Sequence, residues 1–461
     1  MQSRPASRSA FTVRVLACLP LAAASLFAQN IVRGPYLQQG TPTSVVVRWR
    51  TDAPTDTAVR FGREPGKLDQ EAKTKWKTTE HVMAIEGLTA FTKYHYAIGN
   101  AEKTLGGESG KGHFITSPKP GTRQPIRTWV IGDAGTASAS GNVGLQAQVR
   151  DAYYKFAGNR HTDNWLMLGD NAYSTGTDKE HQIAVFEMYG DILKKSVVWP
   201  TLGNHDAGSA ASVTQSGVYY DIFTLPTLGQ AGGLMSGTEA YYSFDYGNVH
   251  YVCLNSQDTD RSPNGAMLTW LKHDLEATKQ DWIIVYFHHP PYTKGSHDSN
   301  TEAKLVEMRK NALPIMEAGG VDLCLTGHSH SYERSFLIDG HYGTQDKFTA
   351  KMKLDGGDGR PDGKGAYKKA TLGRGVHEGA VYIVAGSSGK ITGESDKTKA
   401  RGFLDHPAMF VSLYRLGSMV LDFDGNRMDA TFLSEKGERL DHFSMIKGNG
   451  GAPLKSTASR E

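Results

Sequence analysis

Beyond residue 126 the chain carries six apolar runs that scarcely alternate: RTWVIG, NWLMLG, VVWPTLG, VHYVCLN, DWIIVYF and VDLCLTG. A strand wetted on one side alternates apolar with polar residues, so these must be covered on both faces. Helical stretches lie between them. In the first, Leu145, Val149, Ala152, Tyr153 and Phe156 recur at the spacing of one helix face. Residues 127–445 are therefore expected to form an α/β domain of mixed β-sheets flanked by helices.

The preceding region has another rhythm. VVVRWRT, AVRFGR, KYHYAIG and GHFITS are short segments with a period of two. Val45, Val47 and Trp49 would point one way and Val46, Arg48 and Arg50 the other, as in half-buried antiparallel strands. An all-β sandwich is expected over 31–118. LTAFTKYHY (Leu88 to Tyr96) resembles the Leu, turn, Thr-x-Tyr stretch of fibronectin type III modules, with Ala90 where those often have proline. SPKPGTRQP cannot continue a strand, which makes 119–126 a linker. Residues 340–379 are polar and rich in Gly and Lys, and read as a surface insertion, either a solvated loop or a flap over a site. Met419 to Ser434 reads as a hairpin turning near Asp424-Gly425, and 446–461 as a disordered tail.

The first 28 residues carry Arg4, Arg8 and Arg14, no acid, and then the 14-residue stretch VLACLPLAAASLFA. That order is a secretory signal peptide, too short for the about 20 residues a spanning helix needs. A secreted or periplasmic protein without a stable membrane anchor is expected, starting near Gln29. Lipidation at Cys18 is a lesser alternative, because most of the apolar run follows that cysteine. Without the three arginines, the 51 basic residues fall to 48, matching 48 acidic ones. A neutral chain does not call for nucleic acid as a partner. Cys253 and Cys324 each sit in an apolar stretch, reading as buried small hydrophobes or as one bridge, and not as a disulfide framework.

Five strand-like runs end in polar residues of one kind: GDAG (Gly132 to Gly135), GDNAY (Gly169 to Tyr173), GNHD (Gly203 to Asp206), FHHPPY (Phe287 to Tyr292) and GHSHSYER (Gly327 to Arg334). Groups at the carboxyl ends of strands in α/β sheets converge. Carboxylate, carbonyl and imidazole donors are metal ligands, and the glycines permit a sharp turn at each strand end.

In these five blocks the chain resembles the purple acid phosphatases, within the calcineurin-like metallophosphoesterases. That family's blocks are GDxG, GDxxY, GNH followed by an acid, HxPxY and GHxHxYER, and a fibronectin-like domain precedes them. Generic metallophosphoesterases open with Asp-x-His and usually lack the tyrosine, whereas this chain has Asp133-Ala134-Gly135 and Tyr173.

The resemblance implies that Asp133, Tyr173 and His330 hold Fe(III), that Asn204, His288 and His328 hold a divalent ion (Zn, Fe or Mn), and that Asp170 bridges them. Two anionic oxygens and a phenolate suit a hard trivalent ion, and imidazoles suit a softer divalent one. It also implies an exported acid phosphatase that hydrolyses small phosphomonoesters through a metal-bound hydroxide. His205 would protonate the leaving group, with Asp206 orienting it. His297 stands nine residues after His288, the spacing of a substrate histidine in plant relatives, but Asp298 follows where those commonly continue with a second histidine. His289 would be a neighbour of the site. A phosphodiesterase or nucleotide pyrophosphatase with the same metals is the alternative, and a non-catalytic binding protein the remoter one.

Overall fold

The computed structural model describes Met1 and residues 29–107, 112–138, 144–392 and 402–448. The expected leader beyond Met1, and the expected tail from 449 onward, lie outside the described residues.

Six strands form the N-terminal region: β1 (Ile31–Gln38), β2 (Val45–Gly62), β3 (Gln70–Ile85), β4 (Lys93–Gly99), β5 (Thr104–Gly106) and β6 (His113–Ile115). The first half of β2 lies between β1 and β3, and its second half between β3 and β4. The change falls at the pairing irregularity between Arg50 and Thr57, where Pro54 has no amide to donate. Leu37, Val47, Trp49, Val59, Phe61, Tyr96 and Phe114 fill the core of this β-sandwich. Tyr94 accepts the Thr89 amide on its hydroxyl at 3.0 Å, a fold-back of the tyrosine-corner kind.

The opposite face of β2 is not half-wet as its alternation suggests. Val46 and Arg48 are buried because the second domain covers them. Arg48 donates to Thr224 Oγ1 (2.9 Å) and the Asp221 carbonyl (2.5 Å), and Arg33 and Arg50 both close on Asp178. β1 also meets the next domain through Leu37 opposite Val197.

The second domain contains two sheets. In the first, β7 (Ile126–Ile131), β8 (Asn164–Met167) and β9 (Val197–Pro200) run parallel. Two short hairpins, β10 (Ala210–Ala211) with β11 (Ser216–Gly217) and β17 (Leu337–Ile338) with β18 (Lys353–Asp355), stand apart from the large sheets. The second sheet begins with β12 (Tyr242–Tyr246), β13 (Val249–Cys253), β14 (Trp282–Phe287) and β15 (Leu323–Thr326). It continues through β20 (Val381–Ala385) and β16 (Tyr332–Ser335) to β21 (Met409–Leu413), and β13, β14, β15 and β20 are parallel. β22 (Gly417–Asp424), β23 (Arg427–Ser434) and β24 (Arg439–Lys447) extend the first sheet beyond β7, with β19 (Tyr367–Lys369) at its edge. All six continuous apolar runs are strands. The β22–β23 hairpin turns between Asp424 and Arg427, and β24 carries the chain past the expected tail boundary at 446.

The sheets face each other through stacked rings, Trp199 on Phe244 (3.9 Å) and Tyr332 on Phe432 (4.0 Å). Helix α1 (Gly144–Ala157) covers the first sheet, but its buried face is displaced from the expected one. Leu145 and Phe156 are exposed, while Gln146 is buried because its amide binds the Ala137 amide, the Ala184 carbonyl and the Tyr189 hydroxyl. Cys253 and Cys324 are buried free thiols on β13 and β15. The 340–379 segment is not simply a solvated loop: β19 pairs with β24, and buried Lys369 and Lys447 share Asp322.

Tyr332 and Arg334 of the last motif join the sheets. Arg334 on β16 forms a bidentate pair with Asp441 on β24 (2.6 and 3.0 Å), and Tyr332 donates to the same carboxylate at 2.8 Å. Arg334 and Asp441 are both inaccessible to water. Asp441→Ala would strand the guanidinium, and is expected to lower unfolding free energy by about 3–5 kcal/mol in urea titrations; an unmoved midpoint would contradict it.

Candidate metal centre

The carboxyl ends of β7, β8 and β9 in one sheet, and of β14 and β15 in the other, open onto one place. The first sheet brings Asp133, Asp170, Tyr173, Asn204 and His205, and the second brings His288, His328 and His330. Asp133, Asp170 and His328 each adopt left-handed backbone, with φ of 53°, 51° and 65°. Non-glycine residues rarely do so, and strain of this kind gathers where side chains are aimed at a site. The neighbouring glycines leave room for the donors: a Cβ on Gly203 would stand 2.2 Å from Asp170 Oδ1, and one on Gly327 would stand 2.5 Å from Asp133 Oδ2.

Two groups of donors meet at Asp170. On one side the Tyr173 hydroxyl lies 3.1 Å from Asp170 Oδ2, 3.2 Å from Asp133 Oδ1 and 3.5 Å from His330 Nε2. On the other, His288 Nε2 lies 3.4 Å from Asp170 Oδ1, 3.0 Å from Asn204 Oδ1 and 3.2 Å from His328 Nδ1. The expected ligands are thus brought together in the expected two groups, with the two oxygens of Asp170 facing different ones.

The imidazoles are oriented from behind. His288 Nδ1 faces the Leu168 carbonyl at 2.8 Å; a carbonyl only accepts, so the proton sits there and the Nε2 lone pair faces inward. His330 is held by Thr392 Oγ1 at Nδ1, and its backbone amide donates to Ser296.

Burial sets the electrostatics. It pushes the Asp133 carboxyl up to about 7, against the pull of His288 and with the push of Asp170. At Asp170 the neighbouring His288 and His205 outweigh burial and keep its carboxyl low. Burial, then Asp133 and Asp170, hold the Tyr173 phenol far above its ordinary range. Three acidic oxygens this close in a dry place suit a cation. Asp133, Asp170 and His288 offer ligand atoms within 4.8 Å of one another, as do His288, His289 and His328. The donor set therefore fits a pair of metal ions.

His205 and His297 flank the ligands. The His205 ring lies 4.4 Å from that of Tyr173, and its Nδ1 faces the Ser174 carbonyl at 2.6 Å, leaving Nε2 toward the site, 3.8 Å from Asp170. Asp206 does not orient it. That carboxylate is buried beneath the site and accepts the amides of Gly203, Asn171 and Ala172. His297 stacks on His328 with ring centroids 3.7 Å apart, and Nδ1 bonds Glu302 at 2.8 Å. Asp298, which follows His297, is paired with Lys294. His289 lies beside His328 and its Nδ1 pairs with Ser256 Oγ at 2.9 Å.

Three participants escaped the sequence reading: Glu302, Lys390 and Thr392. VYIVAGSSGKIT has the same form as the five motif blocks, an apolar strand followed by glycine and polar residues, and was the available signal. Glu302 gave none, because only the folding of the loop brings it under His297.

Two facing mixed sheets with candidate metal ligands at their carboxyl ends are the frame of a calcineurin-like phosphoesterase domain, and that family matches residues 126–332. The purple acid phosphatase N-terminal domain matches residues 33–116, so the chain is similar to the purple acid phosphatases in both of its parts. It is 27% identical over 312 residues to purple acid phosphatase 18 of Arabidopsis thaliana, covering 64% of each chain. It is 26% identical over 329 residues to acid phosphatase type 7 of Homo sapiens, covering 65% of this chain and 69% of the relative. The match thus spans slightly less than two thirds of the first of these relatives. In fold, the chain is similar to a purple acid phosphatase from yellow lupin (Lupinus luteus) seeds, with a TM-score of 0.64, 18% identity, and 92% and 77% of the two chains covered. It is also similar to PhoD, with a TM-score of 0.59, 13% identity and 92% of each chain covered.

A carboxyl raised from 3.8 to about 7 stabilises the fold below its unfolded value, and that contribution is lost as pH rises through the folded value. Asp133→Asn keeps the shape without the charge. In chelator-treated protein, Asp133→Asn is expected to gain stability over wild type between about pH 4 and 7, by a few kcal/mol at the upper end. Thermal melts across that range test this; a difference independent of pH would contradict it.

Proposed function

We propose that the protein is an exported phosphatase hydrolysing small phosphomonoesters at a centre of Fe(III) and a divalent ion, Zn, Fe or Mn. The observation that carries this reading is the division of seven donor side chains from five strand ends into two groups that share Asp170. Asp133, Tyr173 and His330 would hold the trivalent ion, and Asn204, His288 and His328 the divalent one. A pair of such ions supplies Lewis acidity toward the phosphoryl oxygens and activates water.

The chain's own residues do the rest. Asp170 fixes the separation of the two groups. Leu168 and Thr392 hold the imidazole rings of His288 and His330, and Ser296 accepts the His330 backbone amide. His205, one-third exposed with Nδ1 tied to a carbonyl, presents Nε2 at the mouth of the site, where a leaving oxygen takes a proton. His297, held by Glu302, lines the mouth from the other sheet. The basic-then-apolar leader supports export, and no helix among the described residues is long and apolar enough to cross a membrane.

The test is a panel of phosphoester substrates offered to metal-replete protein, in which monoesters are expected to turn over faster than diesters. Faster diester or pyrophosphate cleavage would move the protein to the phosphodiesterases, and no turnover at all to a binding role. His288→Ala is expected to deplete the divalent ion, while His205→Ala keeps both metals and slows turnover about 100-fold; equal metal loss would remove His205 from that role. A phenolate on Fe(III) absorbs visible light. The oxidised iron protein is expected to be pink to purple, and Tyr173→Phe to lose that band while keeping its fold. A mutant that stays coloured would exclude Tyr173 as the ligand.

A further inference from the structure

The loop after β20 reads GSSGKIT from Gly386 to Thr392 and is fixed at both ends to the site. Ser388 donates its amide to the Gly132 carbonyl at 3.1 Å and accepts the Gly132 amide on its hydroxyl at 3.2 Å. Thr136 donates its hydroxyl to the Gly389 carbonyl at 3.0 Å. A Cβ on Gly389 would stand 2.7 Å from the Asp133 carbonyl oxygen, so the loop lies against the backbone of a candidate ligand. At the other end Thr392 holds His330. Between these anchors Lys390 is carried over the face of Tyr173, with Nζ 3.7 Å from the ring centroid.

A cation over an aromatic face is attracted by the ring quadrupole, and over a phenolate by a full charge as well. We propose that Lys390 is a positioning residue acting through Tyr173: its charge over the ring lowers the energy of the electrons the ring shares with a bound ferric ion. Because Nζ stands over the ring and not at the oxygen, the donor electrons feel it more than an acceptor bound beyond the hydroxyl. This inference rests on the reading of Tyr173 as a metal ligand.

The test compares iron-loaded, oxidised wild type with Lys390→Met and Lys390→Arg, measuring the visible spectrum together with iron content. At equal iron, the band of Lys390→Met is expected at longer wavelength than in wild type, with Lys390→Arg returning most of the way. Loss of iron in Lys390→Met but not in Lys390→Arg would equally support a role for the charge. An unmoved band at equal iron, or the same iron loss in both variants, overturns the inference. In either of those cases a wild-type band that vanishes in Tyr173→Phe leaves the ligand reading standing, whereas a colourless iron-loaded wild type removes both.

Discussion

The site depends on acidic oxygens packed together where water cannot screen them. The Tyr173 hydroxyl lies within 3.2 Å of both Asp133 and Asp170; the two carboxylates are buried and the tyrosine is half-buried. Burial of that kind is costly for bare anions, and it pushes both the Asp133 carboxyl and the Tyr173 phenol up. The left-handed backbone at Asp133, Asp170 and His328 belongs to the same arrangement, since it turns each side chain inward immediately past its strand.

Rigid sheets behind the donors make this geometry tenable. Neither sheet holds a complete set: carboxylates, phenol and amide come from the first, and imidazoles from the second. The separation of the two sheets must therefore be fixed, and the stacked rings and the Arg334–Asp441 pair fix it. Tyr332 and Arg334 thus owe their place in the last motif block to holding the sheets in register, while His328 and His330 a few residues earlier face the site. The N-terminal sandwich adds a brace on the outer side, through Arg33, Arg50 and Asp178 and through Arg48 at the 221–224 segment.

Around the ligands, a second set of residues governs orientation. Leu168 and Thr392 decide which imidazole nitrogen faces inward, Ser174 does so for His205, and Glu302 for His297. Most of these come from loops far apart in sequence, and two of the partners are backbone carbonyls, which carry no residue identity at all. Asp206 shows the converse. It is adjacent to His205 in sequence, yet its carboxylate turns beneath the loop to collect backbone amides, because four buried N–H groups there need an acceptor.

The amino-acid sequence by itself determined the six buried strands and the five polar strand ends, while the seven candidate ligands among them were named by resemblance to a family. Strand periodicity and glycine-bounded polar turns are local signals, and a strand's carboxyl end is where an α/β sheet places its chemistry. Only the tertiary structure decided which donors share a side, that both faces of β2 are covered, that 340–379 is stitched to β24, and that helix α1 buries Gln146 in place of Leu145 and Phe156. It alone brought Glu302 under His297 and Lys390 over Tyr173. Those outcomes are contacts between segments distant in the chain, set by packing and by the pairing of buried polar groups, and no local pattern records them.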